Sequence, residues 1–131
     1  MKTLYLIRGP YGSGKTTLAM ALAPGAHVEN DHFYPLSNGG RRSPNEASAL
    51  CLERVETLME KGEPTIAVSN CFIGRTSVLE YERLAQRMGY RLSVVCMQNA
   101  FGSTHAVSEG EGNYMRQTWS ASWWWNRPVR R

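Results

Sequence analysis

Residues 9–17 read GPYGSGKTT, directly after the apolar run TLYLI and Arg8. Gly9, four intervening residues, Gly14, Lys15 and Thr16 complete the GxxxxGK[ST] spacing of a phosphate loop. Each part has a physical task. The glycines let the backbone curl so that N–H groups point inward. The helix that follows offers its N-terminus to an anion. Lys15 is placed to reach the β and γ phosphates, and the Thr16 hydroxyl is placed for Mg²⁺. A glycine turn with a solvent lysine would use the same letters. A strand before the loop and a helix after it form the context that a phosphate loop needs, and both are present. Gly9, Pro10, Tyr11, Gly12, Ser13, Gly14, Lys15, Thr16 and Thr17 are therefore the expected nucleotide-binding residues. The guanine-reading pattern Asn-Lys-x-Asp is absent, which makes ATP the default nucleotide and leaves GTP open.

The rest of the chain alternates in a way that agrees with this start. Continuous apolarity at 3–7 fits a strand covered on both faces. Residues 16–23 contain LAMALA, strong helix material, and Pro24-Gly25 stops it. Residues 26–29 read as a short second strand ending at Asn30-Asp31. The stretch PLSNGGRRS at 35–43 is a loop by composition. Ser43, Pro44 and Glu46 form a capping box for a helix to about residue 61, with Ala47, Leu50, Cys51, Val55, Leu58 and Met59 on one face. A third strand is expected at 65–69. A helix over 76–88 turns Val78, Tyr81, Leu84, Ala85 and Met88 inward, and a fourth strand spans 91–97. The order βαβαβαβ predicts an α/β fold of the P-loop NTPase kind, a small parallel sheet of about four strands with helices on both faces. Residues 98–113 read as a loop, a candidate lid. Residues 114–125 read as a last helix rich in tryptophan. All 131 residues fit one domain.

The net charge of +4 is mild and suits an anionic ligand, though basic surfaces occur without one. Arg127, Arg130 and Arg131 make a basic tail, open to nucleic acid or simply solvated. The three cysteines are 20 and 25 residues apart, a spacing that matches no compact metal pattern. Cys51 and Cys96 read as buried thiols. No apolar run reaches the length of a membrane span. A cytoplasmic chain with no membrane partner is the expectation.

Asp31 stands at the end of the second strand, where strand ends beside a phosphate loop line a crevice. A carboxylate there can accept a proton from an attacking hydroxyl or help position Mg²⁺; a turn-forming Asp is the bland alternative. His32 beside it reads as a substrate contact or as a surface histidine.

The segments MKTLYLIRGPYGSGKTTLA, VENDHFY, EKGEPTIAVSNCFIGR and LAQRMGYRLSVV together resemble the P-loop kinases related to the kinase domain of polynucleotide 5′-kinase, a set that includes small phage and bacterial ATP-binding proteins labelled AAA. The resemblance covers roughly residues 1–99. It implies that Asp31 activates a 5′-hydroxyl of DNA or RNA, and it implies the cytoplasm of a bacterial cell or a phage-infected host. A second acid that often follows is His32 here. The third strand typically ends in Asp-Asn-Thr or Asp-Thr-Asn, with the acid near the metal or nucleotide; here it reads Ser69-Asn70-Cys71, so that charge is missing. Arg75 matches a basic position after this motif and would pair with phosphate or cap the next helix. Arg41 and Arg42 are open to substrate phosphates or to solvent.

Phosphoryl transfer needs positive charge over the moving group. Residues 98–113 hold no arginine or lysine, and His105 is mostly neutral at pH 7. Arg116 is the first cation after them and the candidate for that role, with a solvated helix face as its competitor. Trp119, Trp123, Trp124 and Trp125 read as packing against the sheet or as a surface for bases, an oligomer or a protein partner. Two functions follow. One is a kinase with Asp31 as base, Lys15 and Thr16 holding MgATP, and Arg75 or Arg116 offsetting charge; its acceptor is a nucleic acid end or a nucleotide-like molecule. The other is a non-catalytic or weakly hydrolytic ATP- or GTP-binding module acting through a protein partner.

Overall fold

The computed structural model describes residues 1–10, 12–72 and 75–97. The expected lid at 98–113, the tryptophan-rich segment at 114–125, Arg116, Tyr11 and the basic tail lie outside these residues.

Strand β1 (Thr3–Arg8) is central, as its unbroken apolarity predicts. Leu4, Leu6 and Ile7 are fully buried. Helix α1 (Lys15–Leu22) follows the loop, then the short β2 (His27–Val28) and a 3-10 turn, Asn30–Phe33. Helix α2 (Pro44–Glu60), β3 (Thr65–Asn70), α3 (Arg75–Met88) and β4 (Arg91–Cys96) complete the described chain. The sheet order is β2-β3-β1-β4 and every pairing is parallel. The register sets Arg8 level with Asn70 on one side and Cys96 on the other, so three strands end abreast.

This order explains where the helices go. The step from β1 to β2 runs one way across the sheet, and the steps to β3 and β4 run back. Right-handed crossovers then put α1 on one face and α2 with α3 on the other, and α2 and α3 touch each other. The chain is an α/β fold with a small parallel sheet flanked by helices, the architecture of P-loop NTPases.

Local sequence accounts for the element ends. The Ser43 hydroxyl accepts from the Glu46 N–H at 3.2 Å while the Glu46 carboxylate accepts from the Ser43 N–H at 3.4 Å, the expected capping box. The predicted inner face of α2 is buried, with Leu50 half-exposed beside it; α3 buries Val78, Tyr81, Leu84 and Ala85, and Met88 is half-buried. Two expectations change. Strand β2 is shorter than 26–29, because the Asn30 N–H leaves the ladder for the Asn70 side-chain oxygen at 2.8 Å. Cys51 is fully buried, but Cys96 is only half-buried, on an edge strand.

Candidate active site

The loop after β1 closes tightly on the sheet. A Cβ on Gly9 would meet the Met97 carbonyl oxygen at 2.6 Å and Ser13 Oγ at 2.7 Å, so only glycine fits. Gly14 sits at φ 88°, a left-handed conformation that glycine adopts without cost, and it launches α1. The first turn of α1 carries no acidic residue, so nothing there competes with an incoming anion for the helix N-terminus. Lys15 Nζ donates to the Pro10 carbonyl at 2.9 Å and spans its own loop. Burial pulls the Lys15 ammonium below its ordinary value; electrostatic interactions with Cys71, Glu29 and Asp31 work in the other direction. The clash at Gly9, the free first turn and the Thr16 hydroxyl beside Lys15 fit a phosphate group and its divalent cation.

Next to this loop lies a carboxylate whose role the sequence reading missed. Glu29 follows β2 in extended conformation and is almost fully buried. Its Oε2 accepts the Thr16 hydroxyl at 3.0 Å and the Ser69 hydroxyl at 2.9 Å. His27 Nε2 lies 2.8 Å from Ser69 Oγ and 3.5 Å from Glu29 Oε2, and His32 Nε2 lies 3.4 Å from Glu29 Oε1. Burial alone would push this carboxyl up. The hydrogen bonds from His27, Ser69 and Thr16, with His32 nearby, outweigh it and hold the group down at about 2. The three elements α1, β2 and β3 thus meet at one carboxylate oxygen. Ser69 stands where an acid was expected, and Glu29 brings a charge to the same spot. The available signal was an acid two residues before Asp31, at the inner end of a strand.

Asp31 sits in the 3-10 turn rather than on the strand itself, with its side chain exposed. It lines a cavity of about 230 Å³ together with Lys15, Thr16, Glu29, Tyr34 and Cys71. Ser48, Ser77, Asn30 and Asn70 add hydroxyl and amide groups to the wall. Among the described residues that line it, Lys15 brings the one positive charge. His32, read as substrate contact or surface residue, faces Glu29 and packs edge-on against His27 with ring centroids 5.3 Å apart.

The cavity's far wall is held by a second residue that the sequence reading passed over. Arg8, the last residue of β1, is fully buried. Its Nε and Nη2 donate to the Phe72 carbonyl at 3.1 and 2.7 Å. Phe72 has φ 46°, a left-handed conformation that costs a bulky residue energy. The two hydrogen bonds from Arg8 and the edge-on stack of Phe72 on Tyr81, 5.8 Å between centroids, hold that bend. Burial lowers the Arg8 guanidinium to about 10, against the opposing effect of Cys96, and leaves it charged at neutral pH.

The remaining cations separate. Arg42 Nη1 donates to the carbonyls of Phe33 and Pro35 at 2.9 and 3.3 Å, so it shapes the 35–42 loop. Arg41 lies over the Tyr34 ring, 4.3 Å from its centroid, at the cavity rim. Arg75 opens α3 and is not among the cavity residues. No group of three or more His, Cys, Asp or Glu capable of holding a metal occurs among the described residues. No helix among them is long and apolar enough to cross a membrane.

No family model and no curated protein matches the chain. Solved structures do. The chain is similar to a candidate kinase from Chloroflexus aurantiacus J-10-fl, with a TM-score of 0.61 and 18% identity over 73% of this chain and 59% of that one. It is similar to a cysteine-to-alanine variant of the APS kinase CysC from Mycobacterium tuberculosis, with a TM-score of 0.54 and 12% identity over 78% and 79% of the two chains. It is also similar to a chain of the AVRRXO1-ORF1:-ORF2 complex, with a TM-score of 0.52, 22% identity, and coverage of 75% and 37%. The chain therefore spans 59% of the Chloroflexus structure's length and 37% of the third. At these identities the likeness shows the fold alone, one shared with structures of kinases, with no specific tie to the polynucleotide kinases.

Proposed function

We propose that the chain is an ATP-dependent kinase that transfers the terminal phosphoryl group to a hydroxyl, on a polynucleotide 5′ end or on a nucleotide- or nucleoside-like molecule. The observation that carries this reading is one cavity lined both by Lys15 and Thr16, which follow the glycine-rich turn, and by the exposed carboxylate Asp31. Phosphate-holding groups and a candidate base then face the same space, as in-line transfer requires. Kinases among the similar structures support the reaction class.

In this reading residues 9–17 wrap the nucleotide phosphates, all but Pro10 with a backbone N–H to offer, and Lys15 leaves the Pro10 carbonyl for phosphate oxygens. Thr16 is the side chain that would hold Mg²⁺, with Asp31 near it. Mg²⁺, when bound, neutralises charge on the phosphates. Asp31 takes the proton of the acceptor hydroxyl as its oxygen bonds to the γ-phosphorus and ADP departs. Arg75 or Arg116 is assigned to the charge that develops on the moving group. The cavity is smaller than the ~300–1,000 Å³ usual for a whole ligand, and its walls combine hydroxyls and amides, two carboxylates and one ammonium with the rings of Tyr34, Phe72 and Tyr81. That favours the uncharged, hydroxyl-bearing end of an acceptor. ATP is the assigned nucleotide, with GTP as the competitor to test, and the cytoplasm is the assigned location.

The test is transfer of labelled γ-phosphate from MgATP to 5′-hydroxyl DNA, 5′-hydroxyl RNA and a nucleoside panel. Transfer to any of them supports the kinase and names its acceptor. Binding of ATP with no transfer to any acceptor would overturn it. That result would favour a nucleotide-binding module with a protein partner, a reading to which the likeness to a chain solved in a protein complex lends support.

A further inference from the structure

We infer that Glu29 is the positioning carboxylate of the metal–nucleotide site, acting from the end of β2 through the Thr16 hydroxyl. The inference rests on the reading above, in which Thr16 faces Mg²⁺, and adds to it the residue that sets Thr16's direction.

A hydroxyl has one proton to donate and two lone pairs to offer. The Thr16 proton goes to Glu29 Oε2 at 3.0 Å. With the proton committed there, the lone pairs turn away from Glu29, free for a cation beside the loop. An alcohol whose proton is held by a carboxylate is also a better metal ligand, because the acceptor raises electron density on its oxygen. The carboxylate itself cannot swing away. Ser69 holds the same oxygen at 2.9 Å from β3, and His32 faces the other oxygen at 3.4 Å. His27 braces Ser69 in turn at 2.8 Å.

Charge points the same way. Glu29 is 9% exposed, and among the described residues it pairs with His27 and His32, which carry charge only when protonated. A buried carboxylate held mainly by hydroxyls and imidazoles leaves negative potential at the mouth of the phosphate loop. That arrangement opposes a bare polyphosphate and favours one that arrives with a divalent cation. Position 69, level with the end of β1, is a serine and supplies a proton, not a charge. Glu29 and Ser69 together therefore make one acid–hydroxyl pair, and exchanging the two side-chain types should preserve it.

The experiment is calorimetric titration of ATP into the full chain, with EDTA and with Mg²⁺, the readout being the ratio of the two affinities. Wild type should gain about tenfold or more from Mg²⁺, within the ordinary range of coupling between two ligands. Glu29→Gln should lose most of that gain, and the exchange variant Glu29→Ser/Ser69→Asp should recover it. A purely structural Glu29 would not be rescued in this ratio. If Glu29→Gln does not fold, by circular dichroism, the exchange variant carries the test: gain retained supports the inference, and a folded protein without gain overturns it. A full Mg²⁺ gain in folded Glu29→Gln also overturns it. Wild type that binds ATP equally in EDTA and Mg²⁺ overturns this inference alone. Wild type that binds ATP in neither condition overturns the phosphate-site reading with it.

Discussion

The ends of β1 and β2 make two halves of one site by different means. After β1, eight consecutive residues supply the turn and the ammonium, and Gly9 comes close enough to the Met97 carbonyl to exclude a side chain. After β2, chemistry is assembled from distant parts: Glu29 meets Thr16 of α1 and Ser69 of β3, 13 and 40 residues away. The first half tolerates little change in sequence. The second should tolerate an exchange of residues between strands, provided that one carboxylate stays near Thr16.

The largest expected effect strikes the first half. Lys15→Ala removes the loop's ammonium, and phosphoryl transfer should fall by roughly 10²–10³ in a steady-state assay, with weaker ATP binding by calorimetry. A mild effect on both would show that the loop holds phosphate mainly by backbone. Gly9→Ala sharpens the same point without touching charge. Its Cβ would overlap the Met97 carbonyl at 2.6 Å, and the forced shift should cost about 1–3 kcal/mol in urea denaturation while lowering ATP affinity.

Arg8 tests the wall shared by both halves. Arg8→Met leaves the buried Phe72 carbonyl without its two donors. Stability should drop by about 1–3 kcal/mol, measured by urea denaturation. An unchanged midpoint would mean that the Phe72 bend holds itself.

The second half has a pH signature. The Glu29 carboxyl is held at about 2, against an ordinary 4.5. A carboxyl lowered by folding contributes stability above its unfolded value and loses it as pH falls toward the folded one. The ligand-free protein should therefore lose stability as pH drops from about 4.5 to about 2, and Glu29→Gln should flatten that part of the profile in thermal melts. Equal slopes in both proteins would mean that other carboxyls carry acid unfolding. The smallest effect lies far from both halves: Ser43→Ala breaks the α2 capping box and should cost about 1 kcal/mol with ATP affinity intact.

Much of the fold was legible in the sequence because its signals are local. The apolar run of β1, the Ser43–Glu46 cap and the inner faces of α2 and α3 each rest on a few neighbouring residues, and the structure repeats them nearly residue for residue. The glycine-rich turn between β1 and α1 was legible for the same reason. Glu29 was not. Its meaning depends on β3 lying between β1 and β2, which brings Ser69 and Thr16 to it. The sequence reading stopped at Asp31 as the strand's acid and counted the third-strand charge as missing. Arg8 likewise looked like punctuation between strand and loop, since no local pattern announces that a guanidinium will fold back under Phe72. Arg41 and Arg42 are indistinguishable as letters; the bend bonded between Tyr34 and Arg42 sends one to the cavity rim and the other to backbone carbonyls.

Single-turnover transfer of labelled γ-phosphate, comparing wild type with Asp31→Asn at saturating MgATP, tests the central claim most directly. The acceptor is the one identified by the panel. The account predicts a rate at least ~10²-fold lower in the variant, with ATP affinity close to wild type. Transfer at the wild-type rate in Asp31→Asn, or no transfer by a wild-type protein that binds MgATP, would contradict it.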